Sequence, residues 1–314
     1  MQLFIKDILV DFYTGLKGND IKVLTGSSGL LKYIDNENLV SPIPLMEGFQ
    51  EGYNSHSVLF FGNIEFNYLL TRNINDVNKL NNLITEKVSL MVFSDNNIPP
   101  DNFIKKAVDK DICVFTTNIN EIELRKFLMI YLEDKFAPAV VIHGDFIEVF
   151  GVGILITGAS GIGKSETALE LIHRGHRLIV DDLVTIKRMS GNFLFGYGTK
   201  IAPYHMELRG VGIIDIAKLY GIGVVREKKR VELQVHLEEW VKGKNYDRIG
   251  LDEKYIQILG ITIPLIILPI KPGRNIPTII ETAAMNYRLK KMGINSAQEV
   301  DRSLKEYLKR EKNQ

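Results

Sequence analysis

The stretch Gly158-Ala159-Ser160-Gly161-Ile162-Gly163-Lys164-Ser165 has the residue types and spacing needed to hold phosphate. It fits the pattern G-x-x-x-x-G-K-[ST]. Glycines let the backbone wrap an anion closely, and the amide N–H groups of the following helix N-terminus supply partial positive charge. In such a loop Lys164 reaches the terminal phosphates, and the Ser165 hydroxyl ligates Mg2+. The competing reading is a glycine-rich turn with a solvated lysine. The flanking residues argue against it. Ile154-Leu155-Ile156-Thr157 is an apolar run of strand type, and Glu166 to Arg174 has the pattern of an amphipathic helix.

Other residues could complete a reaction. Asp181-Asp182 closes the apolar run Leu178-Ile179-Val180, so two carboxylates sit at a strand's C-terminal tip, where ligands of α/β sheets gather. One could bind or order Mg2+, and the other could accept a proton from an attacking hydroxyl. His143 stands one glycine before a strand expected to neighbour the loop. Glu207 and Arg209 lie in Met206-Glu207-Leu208-Arg209-Gly210-Val211-Gly212-Ile213-Ile214-Asp215, which reads either as a catalytic loop or as a local ion pair beside a core strand. Arg226 and Arg248 are either surface salt-bridge partners or phosphate contacts. Pro269-Ile270-Lys271-Pro272-Gly273-Arg274-Asn275 is a Pro/Gly turn with two cations before a helix. It suits either a second anion site or an exposed helix lead-in.

The chain reads as two α/β units, of which the second carries these groups. Residues 1–133 read as a small N-terminal α/β domain with strands near Ile21–Leu24, Val58–Phe61, Leu90–Phe93 and Cys113–Thr116. Gly62-Asn63 is expected to be a turn, and Ile119 to Glu133 a helix. Its apolar face would comprise Ile122, Leu124, Phe127, Leu128, Tyr131 and Leu132. His56 reads as a surface histidine. Asp134 to Pro138 breaks the pattern, and residues 134–314 form the second, catalytic unit. There Gly151-Val152-Gly153 should turn the chain into the loop's strand. Gly175 should end the loop's helix, and Met189 to Asn192 should make a hairpin turn. A helix should start near Pro277 and run to Met292, and the capping box Ser296-Ala297-Gln298-Glu299 should open the last one, with Leu304 and Leu308 on its apolar face.

Composition excludes several classes. The 314 residues carry 39 Lys+Arg against 38 Asp+Glu, so no basic field points to nucleic acid or an anionic membrane as the main partner. Cys113 is the one cysteine, which rules out an intrachain disulfide and fits a reducing cytoplasm. The N-terminus does not read as a signal peptide, and the apolar run Ile261–Ile270 is too short to span a bilayer.

Taken together, these segments resemble the HPr kinase/phosphorylase family. The resemblance rests on His143-Gly144, on GASGIGKSETALELIHRGHRL and Asp181-Asp182, and on MELRGVGIID, Tyr246-Asp247-Arg248-Ile249-Gly250, PIKPGRN and AAMNYRLKKMGIN. It covers about residues 140–295. It implies ATP-dependent phosphorylation of a regulatory serine on HPr, the phosphocarrier of the sugar phosphotransferase system. It also implies the reverse phosphorolysis by inorganic phosphate, releasing pyrophosphate. Control of carbon catabolite repression and sugar uptake would follow. The implied fold is a P-loop catalytic domain with a phosphoenolpyruvate carboxykinase-like nucleotide core, in a cytoplasmic homohexamer tuned by fructose 1,6-bisphosphate and phosphate.

Carried over by position, Asp182 looks like the proton acceptor, assisted by His143, with Lys164 neutralising charge and Arg248 matching the family's catalytic arginine. Ser165 and Glu207 look like the Mg2+ ligands. Residues 206–215 match a segment used in both directions, and residues 269–274 one tied to dephosphorylation. Ala159, where the family often has an acid, and Met206 are small departures that remove no ligand. Two readings compete: a small-molecule kinase or carboxykinase, and a nucleotide sensor without transfer.

Overall fold

The computed structural model describes residues 2–16, 20–49, 56–73, 77–198, 203–244 and 253–312. The chain forms two compact units, Met1–Ala137 and Pro138–Gln314.

Among the described residues, the first unit is built on a five-stranded sheet. Its order is Ile21–Val23, Cys113–Thr117, Val88–Phe93, Ser57–Phe61, Leu39–Val40, with only the first strand antiparallel to its neighbour. The three central strands are wholly buried because helices cover both faces, as their largely apolar character requires. Side chains alternate between two cores. Val58, Phe60, Val92 and Phe115 meet Phe12, Leu124 and Leu128 from the helices Ile5–Gly15 and Glu121–Phe136. Leu59, Phe61, Met91 and Val114 meet Leu83 and Phe103 on the other face.

Several expectations shift here. The long helix starts later, because the Asn120 side chain caps it by accepting from Glu123 N–H, and it runs on to Phe136, two residues before Pro138. Its buried stripe is Leu124, Leu128 and Leu132, whereas Ile122 is exposed. Gly62-Asn63 is no turn. It opens the helix Asn63–Tyr68, with the Glu65 and Glu121 carboxylates accepting from the Gly62 and Asn63 N–H groups. His56 is half-buried, stacked on Tyr33 and bonded to Ser89. Cys113 is fully buried, and that burial pushes its thiol up to about 12, so it is inert packing.

The second unit has two sheets. Among the described residues, a six-stranded sheet runs Arg177–Val180, Asp145–Val149, Val152–Gly158, Leu233–Glu239, Ile261–Ile270, Lys254–Ile258. Its three middle strands, from Val152–Gly158 to Ile261–Ile270, are parallel. A four-stranded antiparallel sheet orders Lys228–Arg230, Phe193–Tyr197, Leu183–Met189, Ala139–His143. Ile154 and Ile156 face a core shared with Ala168, Leu171, Ile276 and Ile280 of the helices Lys164–His173 and Ile276–Lys291. Leu155, pointing the other way, joins Phe146, Val184, Ile186 and Leu194 between the sheets. The layers are therefore helix, sheet, sheet.

Close backbone approach explains particular glycines. A Cβ on Gly153 would stand 1.9 Å from the Arg230 carbonyl oxygen, and one on Gly196 would stand 2.5 Å from the Phe146 ring. The hairpin into the loop's strand turns at Phe150-Gly151, one residue earlier than the glycine pattern suggests, and Val152 is already paired. The last helix, Ser296–Lys312, is capped by Asn295, whose side chain accepts from Gln298 N–H, rather than by Ser296. Leu304 and Leu308 lie exposed within the described residues. No described helix is long and apolar enough to cross a membrane.

Candidate active site

Topology gathers the chemistry at one edge of the six-stranded sheet. The parallel strands end at Gly158, Glu239 and Ile270, in register as Gly158↔Leu237 and Glu239↔Ile270. Asp145–Val149 runs antiparallel to the loop's strand, so its first residue lies beside that strand's end, with Asp145 opposite Ile156. Arg177–Val180 is antiparallel in turn to Asp145–Val149 and delivers Asp181-Asp182 to the same edge. The glycine loop, both aspartates and the segment after Ile270 therefore open on one side, where α/β sheets bind ligands.

The loop has the backbone that its glycines permit. Gly158, Gly161 and Gly163 all have positive φ (152°, 79° and 97°). A Cβ on Gly158 would meet the Leu237 carbonyl oxygen at 2.5 Å. The helix then begins at Lys164, with Gly163 at its N-cap position, and Arg174 and Gly175 end it. Ala159, Ser160 and Gly161 are exposed, and Ile162 to Ser165 are half-buried. Lys164 Nζ donates to the Gly158 and Ala159 carbonyl oxygens, both at 3.2 Å, which curls the side chain over its own loop.

Ser165 connects the loop to the acids. Its hydroxyl donates to Asp181 Oδ1 at 2.9 Å, and Asp181 Oδ2 accepts from the Glu207 N–H at 3.1 Å. Ser165, Asp181 and residue 207 thus form one hydrogen-bonded chain, although the Glu207 residue is exposed. Glu207 sits on the hairpin His205–Leu208 and Gly212–Asp215. Arg209, on its bend, lies over the glycine loop, 3.0 Å from where a Gly161 Cβ would be.

Asp182 is set apart from this chain. It is 72% exposed at its side chain, has φ +69°, and its Oδ1 stands 3.7 Å from His143 Nδ1. The two adjacent aspartates therefore face opposite ways. Asp181 turns inward to the serine, and Asp182 turns outward to the histidine and the solvent.

Asp145 belongs to this cluster and was not legible as a site residue in the sequence. It is completely buried, and its Oδ1 accepts from the Asp182 N–H at 3.2 Å. Burial, and next the charge of Asp181, push its carboxyl up to about 8. Burial raises Asp181 as well, while hydrogen bonds from Asp145, Ser165 and Glu207 N–H pull it back. Asp145 Oδ2 has no hydrogen-bond partner among the described residues, and burial beside Asp181 favours the protonated form of its carboxyl. A signal did exist in the sequence. Asp145 is a charged residue at the start of the otherwise apolar Phe146-Ile147 run, two residues after His143.

The remaining candidates are placed unequally. Lys271, Pro272, Gly273 and Arg274 are exposed and follow Pro269 and Ile270 of the sheet. Arg274 Nη1 donates to the Pro269 carbonyl oxygen, and the Lys271 ammonium lies 3.6 Å from the Trp240 ring centroid. A cleft of about 420 Å³ joins this turn to the glycine-loop helix, lined by Gly163, Glu166, Gly273 and Arg274. Arg174 ties the same two elements through Glu170, Glu281 and Asn275. Arg226 pairs with Glu148 at 2.6 Å as a salt bridge, away from this edge. Arg248 and its neighbours Tyr246 to Gly250 lie outside the described residues. No group of three or more His, Cys, Asp or Glu among the described residues could alone hold a metal ion.

The family model described as HPr Serine kinase N terminus matches residues 5–132, and the HPr Serine kinase C-terminal domain matches residues 134–304. HPr kinase/phosphorylase of Treponema pallidum is 44% identical over 91% of this chain and 90% of its own length. The Bacillus cereus enzyme of the same name is 37% identical over 95% of each. A solved structure of the HPr(Ser) kinase/phosphatase from Coxiella burnetii aligns at 38% identity over 51% of this chain and 98% of that one, with a TM-score of 0.47. With both domain models matched in order along nearly the whole chain, and relatives this similar over nine-tenths of their length, the chain belongs to the HPr kinase/phosphorylase family.

Proposed function

We propose that the protein transfers the γ-phosphoryl group of ATP to a serine hydroxyl of HPr, and runs the reverse phosphorolysis with inorganic phosphate. The observation that carries this reading is the division between Asp181 and Asp182 at the mouth of the glycine loop. One carboxylate is bound to the loop's serine. The other is free, exposed and beside a histidine, where the hydroxyl of a protein substrate can reach it.

The donor set suits Mg2+, which takes few protein oxygens and keeps water and phosphate as its other ligands. Ser165 and Glu207 would hold the ion, with Asp181 hydrogen-bonded to both residues. When bound, Mg2+ neutralises charge on the transferring phosphate. The chain's own groups do the rest. The loop amides and Lys164 bind the polyphosphate, and Lys164 leaves its two carbonyl partners to do so. Asp182 accepts the serine proton as the seryl oxygen–phosphorus bond forms and the bond to ADP breaks. His143 orients that carboxylate and steadies its charge. In reverse, phosphate attacks the phosphoserine phosphorus, the seryl oxygen leaves, and protonated Asp182 returns the proton to it, giving pyrophosphate. Arg274 and its turn, across the cleft from Gly163, would hold the attacking phosphate. Arg248 would support the transferring group.

A phosphoenolpyruvate carboxykinase-like nucleotide core, a cytoplasmic homohexamer and control by fructose 1,6-bisphosphate and phosphate belong to the same reading. The test is direct. Incubate the protein with ATP, Mg2+ and HPr and measure phosphoserine, then remove ATP, add phosphate and measure pyrophosphate. Absence of phosphoserine under every effector would overturn the proposal.

A further inference from the structure

Asp182 is held in an unusual way. Its φ of +69° lies in the left-handed region, which aspartate visits more readily than most residues with a Cβ, and its surroundings hold it there. Three consecutive residues do so. The Gly144 N–H donates to the Asp182 carbonyl oxygen at 2.8 Å. The Asp145 carboxylate accepts from the Asp182 N–H at 3.2 Å. His143 Nδ1 faces the Asp182 carboxylate at 3.7 Å. Both peptide groups flanking Asp182 are therefore fixed by one tripeptide at the start of a buried strand.

Gly144 cannot be replaced within this arrangement, because a Cβ there would stand 2.4 Å from the Ile156 carbonyl oxygen. Asp145 is the side-chain member of the clamp. A buried carboxyl beside a second acid is costly unless it has a use, and here its oxygen is spent on a backbone N–H of the residue that meets the substrate.

We propose that Asp145 is a positioning residue, whose side chain fixes the left-handed backbone of Asp182 and so aims the Asp182 carboxylate at the acceptor hydroxyl. This rests on Asp182 being the proton acceptor. Displacement of a catalytic group by about 1 Å costs on the order of 100-fold in rate. Loss of the clamp should therefore lower kcat and leave nucleotide binding alone.

The experiment compares Asp145→Val, Asp145→Asn and Asp182→Asn in the full chain, with ATP, Mg2+ and HPr. Asp145→Val removes the acceptor, keeps a strand-forming side chain and takes away a buried acid, so the variant should fold; Asp145→Ala serves if it does not. We expect kcat to fall roughly 10- to 100-fold in Asp145→Val, with KM for ATP within about 2-fold of the parent. Asp145→Asn keeps an oxygen for the Asp182 N–H and offers an N–H to Asp181, so it should keep at least about a third of the parent kcat. Three results would overturn the clamp: full kcat in Asp145→Val, equal losses in the Val and Asn variants, or a parallel loss of kcat and ATP affinity. Asp182→Asn separates the two levels. If it stays active, the proton-acceptor assignment itself fails; if it is inactive while Asp145→Val is fully active, only the clamp fails.

Discussion

Replacing Asp145 with Asn should stabilise the protein, and by an amount that grows with pH. In the folded chain Asp145 is fully buried and its carboxyl is raised from 3.8 to about 8, first by burial and then by Asp181. In the unfolded chain it returns to the ordinary range near 3.9. Between those values the folded state binds more protons than the unfolded state, so stability falls as pH rises from about 4 and the loss is complete above about 8. The asparagine has no such titration. At 1.36 kcal/mol per pH unit, a difference of about four units sets a ceiling near 5 kcal/mol. Relaxation and water entry around an ionised buried acid recover part of that cost, leaving about 2–4 kcal/mol at pH 9. For a unit of this size that corresponds to roughly 5–12 °C in Tm. Scanning calorimetry of both full-length chains from pH 5 to 9, without nucleotide, reads the difference, and the relevant transition is the one that Mg2+ and ATP shift. The variant's advantage should be small at pH 5, grow steadily to about pH 8 and level off above it. A difference that does not change with pH, or one that is larger at pH 5 than at pH 9, would refute the reasoning.

Other perturbations test the site piece by piece. Asp182→Asn should lower both phosphoserine formation and phosphorolysis by at least about 100-fold while ATP binding, read by calorimetric titration, persists. Arg274→Ala should slow pyrophosphate release more than phosphoserine formation, and equal losses would argue against a separate phosphate position at that turn. Ser165→Ala should weaken the Mg2+ dependence of ATP binding, seen as a lowered response of nucleotide affinity to added Mg2+. Gly153→Ala places a Cβ 1.9 Å from the Arg230 carbonyl oxygen, so the strands must separate, at a cost of about 1–3 kcal/mol seen as a lower urea midpoint.

Local signals in the sequence carried far. Gly158 to Ser165 lies within ten residues of both the strand and the helix that make it a loop, so periodicity and glycine placement were enough to find it. Capping was less legible. Asn295 and Ser296 both have the chemistry of a cap, and only the chain path decides between them. The reach of the long helix's apolar stripe failed at Ile122 for a related reason, since a helix's buried face is narrower than its apolar residue list.

By itself the sequence determined two α/β units, a phosphate-type loop, a pair of acids at a strand tip and membership of one family. The tertiary structure decided which way each acid faces. Asp181 and Asp182 are neighbours with the same side chain, and no spacing rule separates them. Sheet register does. Asp145–Val149 lies between the loop's strand and the strand of the aspartates, so a residue 36 positions upstream of Asp181 reaches both. That contact buries one acid, holds the Asp182 N–H in its left-handed backbone, and leaves the Asp182 carboxylate in the open beside His143.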